Sequence, residues 1–119
     1  TIGSGNITST GSISDTSGNL RTVPSVIKNS QHALGIDDVG RFMNSTSGGF
    51  VINSGIFSAG DCFTLYNSSA SDVSITGSGV TLRLVGKSDT GTRTLAQRGL
   101  ATVVCVASNE FVVTGGGVS

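Results

Sequence analysis

Few side chains in this chain could do acid–base or covalent chemistry, and their spacing brings no set of them together. His32 is the only histidine. No serine or cysteine stands near it in a known nucleophile motif, so it reads as a surface or hydrogen-bonded structural residue rather than a general base. Asp37 and Asp38 are adjacent and would point to opposite faces of a strand. Paired-carboxylate catalysis needs two groups converging on one substrate. Followed by Gly40, they read as turn formers, since aspartate bonds its own backbone in turns. Their oxygens are too few for a calcium loop. Asp61 after Gly60 reads the same way.

Cys62 and Cys105 both fall in apolar stretches with no Cys-x-x-Cys or Cys/His metal spacing. They read as two buried thiols acting as small hydrophobes. A disulfide stays open, because it depends on whether their strands are neighbours. Gly77-Ser-Gly79 and Gly115-Gly-Gly117 lack the Lys-Ser/Thr and the helix of a phosphate cradle. Arg83, Lys87, Arg93 and Arg98 gather in the C-terminal half. They suit a solvated face with weak ion pairs, and they are the candidate surface contacts for a glycan or an acidic partner. Three Asn-x-Ser/Thr triplets, at Asn6, Asn44 and Asn67, are expected by chance in so Ser/Thr-rich a sequence. No catalytic, cofactor-binding or metal-binding residue is expected, and the chain reads as a protein without enzymatic activity.

The elements that would position these groups are strands. Val80–Val85 and Cys62–Asn67 alternate, with Phe63 and Leu65 on one face and Cys62, Thr64 and Tyr66 on the other. Leu100–Ala107 is a nearly continuous apolar run, Ser108–Glu110 turns, and Phe111–Thr114 returns before a glycine triplet. Gly77–Gly79 reads as a hairpin turn, and Gln97–Gly99 as another turn after a short strand at Thr92–Ala96. Pro24, the only proline, places its strand at a sheet edge or in a linker. About eight short strands recur at roughly eight- to twelve-residue intervals. The expected fold is all-β, a small β-sandwich or barrel with an extended N-terminal arm. No internal repeat stands out.

Composition narrows the partners. Of 119 residues 18 are glycine, only 12% are charged, and the formal net charge is zero. Nucleic-acid binding needs a basic surface, so it is not expected, and an anionic membrane gains nothing from this balance. No apolar run approaches the length of a membrane-spanning helix. Trp is absent and Tyr66 is the one tyrosine, which disfavours an aromatic-rich binding surface.

Residues 1–19 differ from the β-domain at 20–119. Ile2, Ile7 and Ile13 are spaced by five and six residues, a period of neither a helix nor one strand face. The four glycines among them raise the cost of ordering the segment. The segment reads as a loose tail or, since three isoleucines are more than a solvated linker needs, as the favoured extended arm, ordered against another chain by backbone hydrogen bonds with the isoleucines as plugs. Thr1 is small enough to follow a removed initiator Met, which fits a complete short chain, and an excised fragment is the other reading.

Four segments carry a resemblance. They are Phe57–Asn67, Gly79–Leu84, Thr92–Ala101 and Asn109–Gly115, and they resemble a β-rich module of virion structural proteins in tailed bacteriophages, marine and cyanobacterial ones notably. Ile13–Pro24 is similar to the lead-in that often precedes it. The resemblance covers about Ile13 to Gly117 through turn and strand patterns, and it brings no enzymatic residues. It implies a virion location and a role as a capsid decoration (cement) protein. Such a protein would form a homotrimer and bind the major capsid protein or another virion protein through the arm. The other role it implies is a tail-fibre or receptor-binding module meeting a host surface glycan.

Overall fold

The computed structural model describes residues 5, 8–20 and 22–119. Ile2 and Ile7 lie outside the described residues. Eleven strands and no α-helix occur among the described residues. β1 (Ser14–Asp15) and β2 (Gly18–Asn19) form a small hairpin of their own within the arm segment. The Asp15 carboxylate accepts from the Ser17 and Gly18 amides at 2.8 and 3.1 Å, which tightens its turn. Ile13, just before it, is largely exposed and accepts from the Leu20 amide at 2.7 Å.

The other nine strands are β3 (Ser25–Lys28), β4 (His32–Ala33), β5 (Phe42–Ser45), β6 (Phe50–Asn53), β7 (Cys62–Asn67), β8 (Val73–Ser78), β9 (Thr81–Leu84), β10 (Arg93–Ala107) and β11 (Glu110–Val118). Their connectivity is a winding one. β3, β5 and β7 stack in parallel, with Ser25 beside Phe42 and Phe42 beside Thr64. β4, β6 and β8 stack in a second parallel ladder, with His32 beside Phe50 and Phe50 beside Ile75. The chain alternates between the two ladders and so makes three coils. Corners stack as well: the Thr46 amide donates to Lys28 O, the Ser68 amide to Ser45 O and the His32 amide to Gly49 O.

β10 closes the coil. Its first residues run antiparallel to β8 and its later ones antiparallel to β7, so it retraces the third coil backwards, corner included. β11 runs back along β10, and β9 lies parallel to β11. The result is a nearly closed, barrel-like all-β sheet with β3 and β4 as the edges at one end. Pro24 immediately precedes β3, at the edge where a missing N–H costs no ladder bond.

Inward residues alternate with outward ones along each strand. Met43, Phe50, Ile52, Phe63, Leu65, Ile75, Leu95, Val103, Phe111 and Val113 fill the interior with almost no exposure. Each such side chain contributes roughly 1.5–3 kcal/mol by burial. Phe57, in the corner between β6 and β7, joins them: its ring lies 5.4 Å from Phe63 and 5.8 Å, edge-on, from Phe111.

Three sequence expectations change. Gln97–Gly99 does not reverse the chain; it is the corner inside the continuous β10, where Arg98 takes a φ of 66°. Gly77–Gly79 joins β8 to β9 without a hairpin, because β8 pairs with β6 and β10 whereas β9 pairs with β11. Cys62 is exposed, not buried. It shares the outer face with its neighbour Val104, while Cys105 points inward opposite Phe111. Their side chains leave opposite faces of the sheet, so the two free thiols cannot bridge.

Candidate functional site

His32 does find a carboxylate, one that no spacing in the sequence signals. A 3-10 turn, Ile36–Asp38, follows β4 and brings Asp38 back toward it. The His32 Nε2 donates to Asp38 Oδ2 at 2.8 Å, and the Gly35 amide donates to the same oxygen at 2.9 Å. Arg41 Nη1 stands 3.9 Å from Asp38 Oδ1. Asp38 is buried and shared among these partners. That arrangement locks the β4–β5 corner. Asp37 beside it is exposed. Asp61 accepts from the Ser58 amide at 2.9 Å, again within a corner. The Asp38 and Asp61 carboxylates are thus occupied with backbone amides at separate turns. No cluster of three or more His, Cys, Asp or Glu suited to a metal ion occurs among the described residues. No helix there is long and apolar enough to cross a membrane.

The four cations do not meet in one patch. Arg83 pairs with Glu110, and the register sets it beside Val112, next to Val104. Arg93 is turned inward on the row of Ile75, and its guanidinium donates to the carbonyls of Thr90, Gly91 and Thr92 at 3.1–3.2 Å. Arg98 lies at the β10 corner, 3.4 Å from the Tyr66 hydroxyl, and Lys87 lies exposed in the loop after β9.

What the fold does assemble is a broad face. On the outside of the β3-β5-β7-β10-β11-β9 ladder, cross-strand neighbours fall into three rows. One is Cys62–Val104–Val112–Arg83. The middle one is Ser25–Phe42–Thr64–Thr102–Thr114. The third is Ile27–Asn44–Tyr66–Leu100, with Gly116 beyond. Ile27 is 68% and Leu100 48% exposed, and the Phe42 and Tyr66 rings stack with centroids 6.3 Å apart. The outside of the β4-β6-β8 ladder differs in kind. It presents Ala33, Val51, Asn53, Ser74, Thr76 and Ser78. Beside it an open, polar groove of about 470 Å³ runs past Gln31, Gly48, Gly49, Asp72, Ser74 and Thr76.

A second region is the open end of the coil. β3 and β4 are edge strands, and Leu20, Val23, Ile27 and Ile36 stand exposed around them. The β1–β2 hairpin lies against this end, where a cleft is bordered by Asp15, Gly18, Leu20, Pro24, Val39 and Gly40.

The third coil is tied to β10 by Asn67. Its amide nitrogen donates to Ser71 O at 2.8 Å and Leu95 O at 2.9 Å, and its carbonyl oxygen accepts from the Ser69 amide and hydroxyl. The side chain is fully buried, so the Asn67 triplet offers no free amide for a glycan in the folded chain. Asn67→Ala leaves the Leu95 and Ser71 carbonyls without this donor. A loss of about 2–4 kcal/mol is expected in urea unfolding, from several bonds at roughly 1 kcal/mol each plus the cost of stranded buried groups. A loss below half a kcal/mol would refute the role of the knot.

The two cysteines differ chemically. Burial, and to a lesser degree the nearby Asp61 charge, push the Cys105 thiol up, and its Sγ donates to Ala107 O at 3.1 Å. It is therefore a poor nucleophile, whereas Cys62 opens to solvent. Compared with protein-family models, curated proteins and solved structures, the chain matches none of them.

Proposed function

We propose that the chain is a non-enzymatic structural module on the surface of a tailed-phage virion, a capsid decoration protein that docks through its N-terminal end. The observation that carries this reading is the open end of the coil. Two edge strands, exposed Leu20, Val23, Ile27 and Ile36, and the arm hairpin all lie there. Edge strands offer unpaired backbone groups to an added strand. The arm, with Ile13 described and Ile2 and Ile7 preceding it, would supply plugs for the shell. A protein that binds only the assembled lattice stabilises it by mass action, and repetition over a symmetric shell lets weak contacts sum. The use of Asp15, Asp38 and Asp61 as turn acceptors favours binding over catalysis.

A tail-fibre or receptor-binding role is favoured by one different feature: both edges of the parallel coil face the same end, as the last coil of a shaft would. In that reading the polar groove at Gln31, Asp72 and Thr76 is where a host glycan would meet the domain.

Quantitative mass spectrometry of purified virions from the encoding phage separates the readings. A copy number on the scale of the capsid lattice supports decoration, one on the scale of the tail supports a fibre, and absence from the particle overturns both. Deleting residues 1–19 should abolish particle binding while the β-sheet circular dichroism is retained. Full occupancy by the truncated chain would remove the arm from the account.

A further inference from the structure

We infer that Phe42, Asn44, Tyr66 and Arg98 form a binding site for an acidic sugar, a saccharide ring that carries a carboxylate. The chain has five phenylalanines, one tyrosine and no tryptophan. Phe50, Phe57, Phe63 and Phe111 are buried. The two rings left over, Phe42 and Tyr66, are half-buried and come from the neighbouring strands β5 and β7. Their planes lie within 22° of each other, with centroids 6.3 Å apart. Together they offer solvent a small apolar surface beside polar groups, the kind of lining that orients a small ligand.

Arg98 supplies the charge. It is exposed, and its Nη1 stands 3.4 Å from the Tyr66 hydroxyl oxygen. Elsewhere Arg41 stands by Asp38, Arg83 pairs with Glu110, and Arg93 is buried among carbonyls. Arg98 has no carboxylate within salt-bridge distance among the described residues. Asp72, at the same corner, accepts from the Gln97 amide at 3.4 Å instead. Arg98 also holds a φ of 66°, which glycine or asparagine would adopt with less strain. Backbone strain of this kind gathers at functional sites. Asn44 lies directly beside Tyr66. Its Oδ1 accepts from the Ser68 hydroxyl, which fixes the amide and leaves Nδ2 to donate elsewhere.

The set is a cation, an amide donor and a phenol around two ring surfaces, with no acid among them. That complement selects a carboxylate borne on a ring. A guanidinium takes a carboxylate through two parallel bonds, the C–H face of a sugar ring lies against an aromatic one, and its hydroxyls accept from Asn44. A nucleic acid would also stack on the rings, but its phosphates call for more than one cation. An acidic peptide brings charge without a ring face and loses side-chain freedom on binding. The polar groove past Gln31 carries the Asp72 carboxylate, which disfavours this ligand there, so the two places are chemically distinct. The site holds whether or not the module belongs to a virion, and the particle copy number tests that separately.

Tyr66 is the one tyrosine and no tryptophan masks it, so its fluorescence reports on the site directly. Titrating the full chain with trigalacturonic acid should change that emission and saturate in the roughly millimolar range. Added salt should weaken the binding. Galactotriose, the neutral counterpart, should bind at least about tenfold more weakly. Arg98→Asn suits the left-handed backbone and drops the charge, so it should fold and also lose at least about tenfold. Asp72→Asn should bind like the parent. Should Arg98→Asn fail to fold, amide chemical shifts of the unaltered chain decide: the largest changes on adding trigalacturonic acid must fall around Asn44, Tyr66 and Arg98. The absence of a saturable response overturns the proposal. So does an equal response to galactotriose, full binding by Arg98→Asn, or loss of binding in Asp72→Asn. A response to hexaglutamate or to oligothymidylate as strong as that to the uronate also overturns it, and assigns the patch to an acidic peptide or a nucleic-acid strand.

Discussion

Replacing Phe57 with alanine is expected to lower the unfolding free energy by about 3–5 kcal/mol, the range for removing a phenyl ring from a core. The ring is 92% shielded from solvent, given its 8% relative exposure. It is also the buried side chain of the β6–β7 corner, and it bridges two strands that are distant in sequence, touching Phe63 of β7 and Phe111 of β11. Each aromatic pair adds about 0.5–1.5 kcal/mol beyond area burial. Domains of this size hold only about 5–15 kcal/mol in total, so the variant should melt roughly 10–20 °C lower by calorimetry. The effect exceeds that of Asn67→Ala because it opens a cavity as well as removing contacts. A fall of less than about 1 kcal/mol would mean that the corner is not anchored through this ring.

Gly115→Ala should be of similar severity for a backbone reason. Gly115 sits at a φ of 144°, where an L side chain is strained, and a Cβ there would collide with the Leu100 carbonyl oxygen and the Ala101 Cα. Those are backbone atoms of β10, directly across the ladder, so no side chain can swing away. Strain at a glycine-only conformation costs about 1–3 kcal/mol, and overpacking adds about 1–3 kcal/mol. Gly116 is the internal control. It has no positive φ, and its Cβ would meet nothing within 4 Å. Urea midpoints for Gly115→Ala and Gly116→Ala should thus separate widely, with the second within about 1 kcal/mol of the parent. Equal effects would contradict the paired corner of β10 and β11.

These two positions also show how far the sequence could be read. Alternation in Cys62–Asn67 sets Phe63 and Leu65 on one face and Cys62, Thr64 and Tyr66 on the other, because side-chain direction in a strand depends only on parity, and the fold buries the first pair. Parity also sets Cys62 on the face opposite Phe63, whereas its apolar sequence neighbours suggest burial. The fold exposes it, and hydrophobic neighbours are no measure of burial, since Val104 and Val112 beside it are themselves on the outer face. The glycine triplet read as the end of a strand, because isolated glycines weaken strands. In the fold it is the bend that lets β11 follow β10 around the corner to pair Val118 with Leu95.

By itself, then, the sequence determined the all-β class, the restriction of Pro24 to a sheet edge or a linker, and the division of β7 into two faces. These follow from local rules: pleat parity, proline's missing donor and the turn preference of glycine and aspartate. The tertiary structure alone decided the winding of two parallel ladders, the His32–Asp38 pair and the rows of the outer face. Ladder partners lie 17 to 25 residues apart, at unequal intervals, so the coils leave no fixed sequence period to detect. A face made of every second residue from six strands exists only once register is set, and register is a property of long-range pairing.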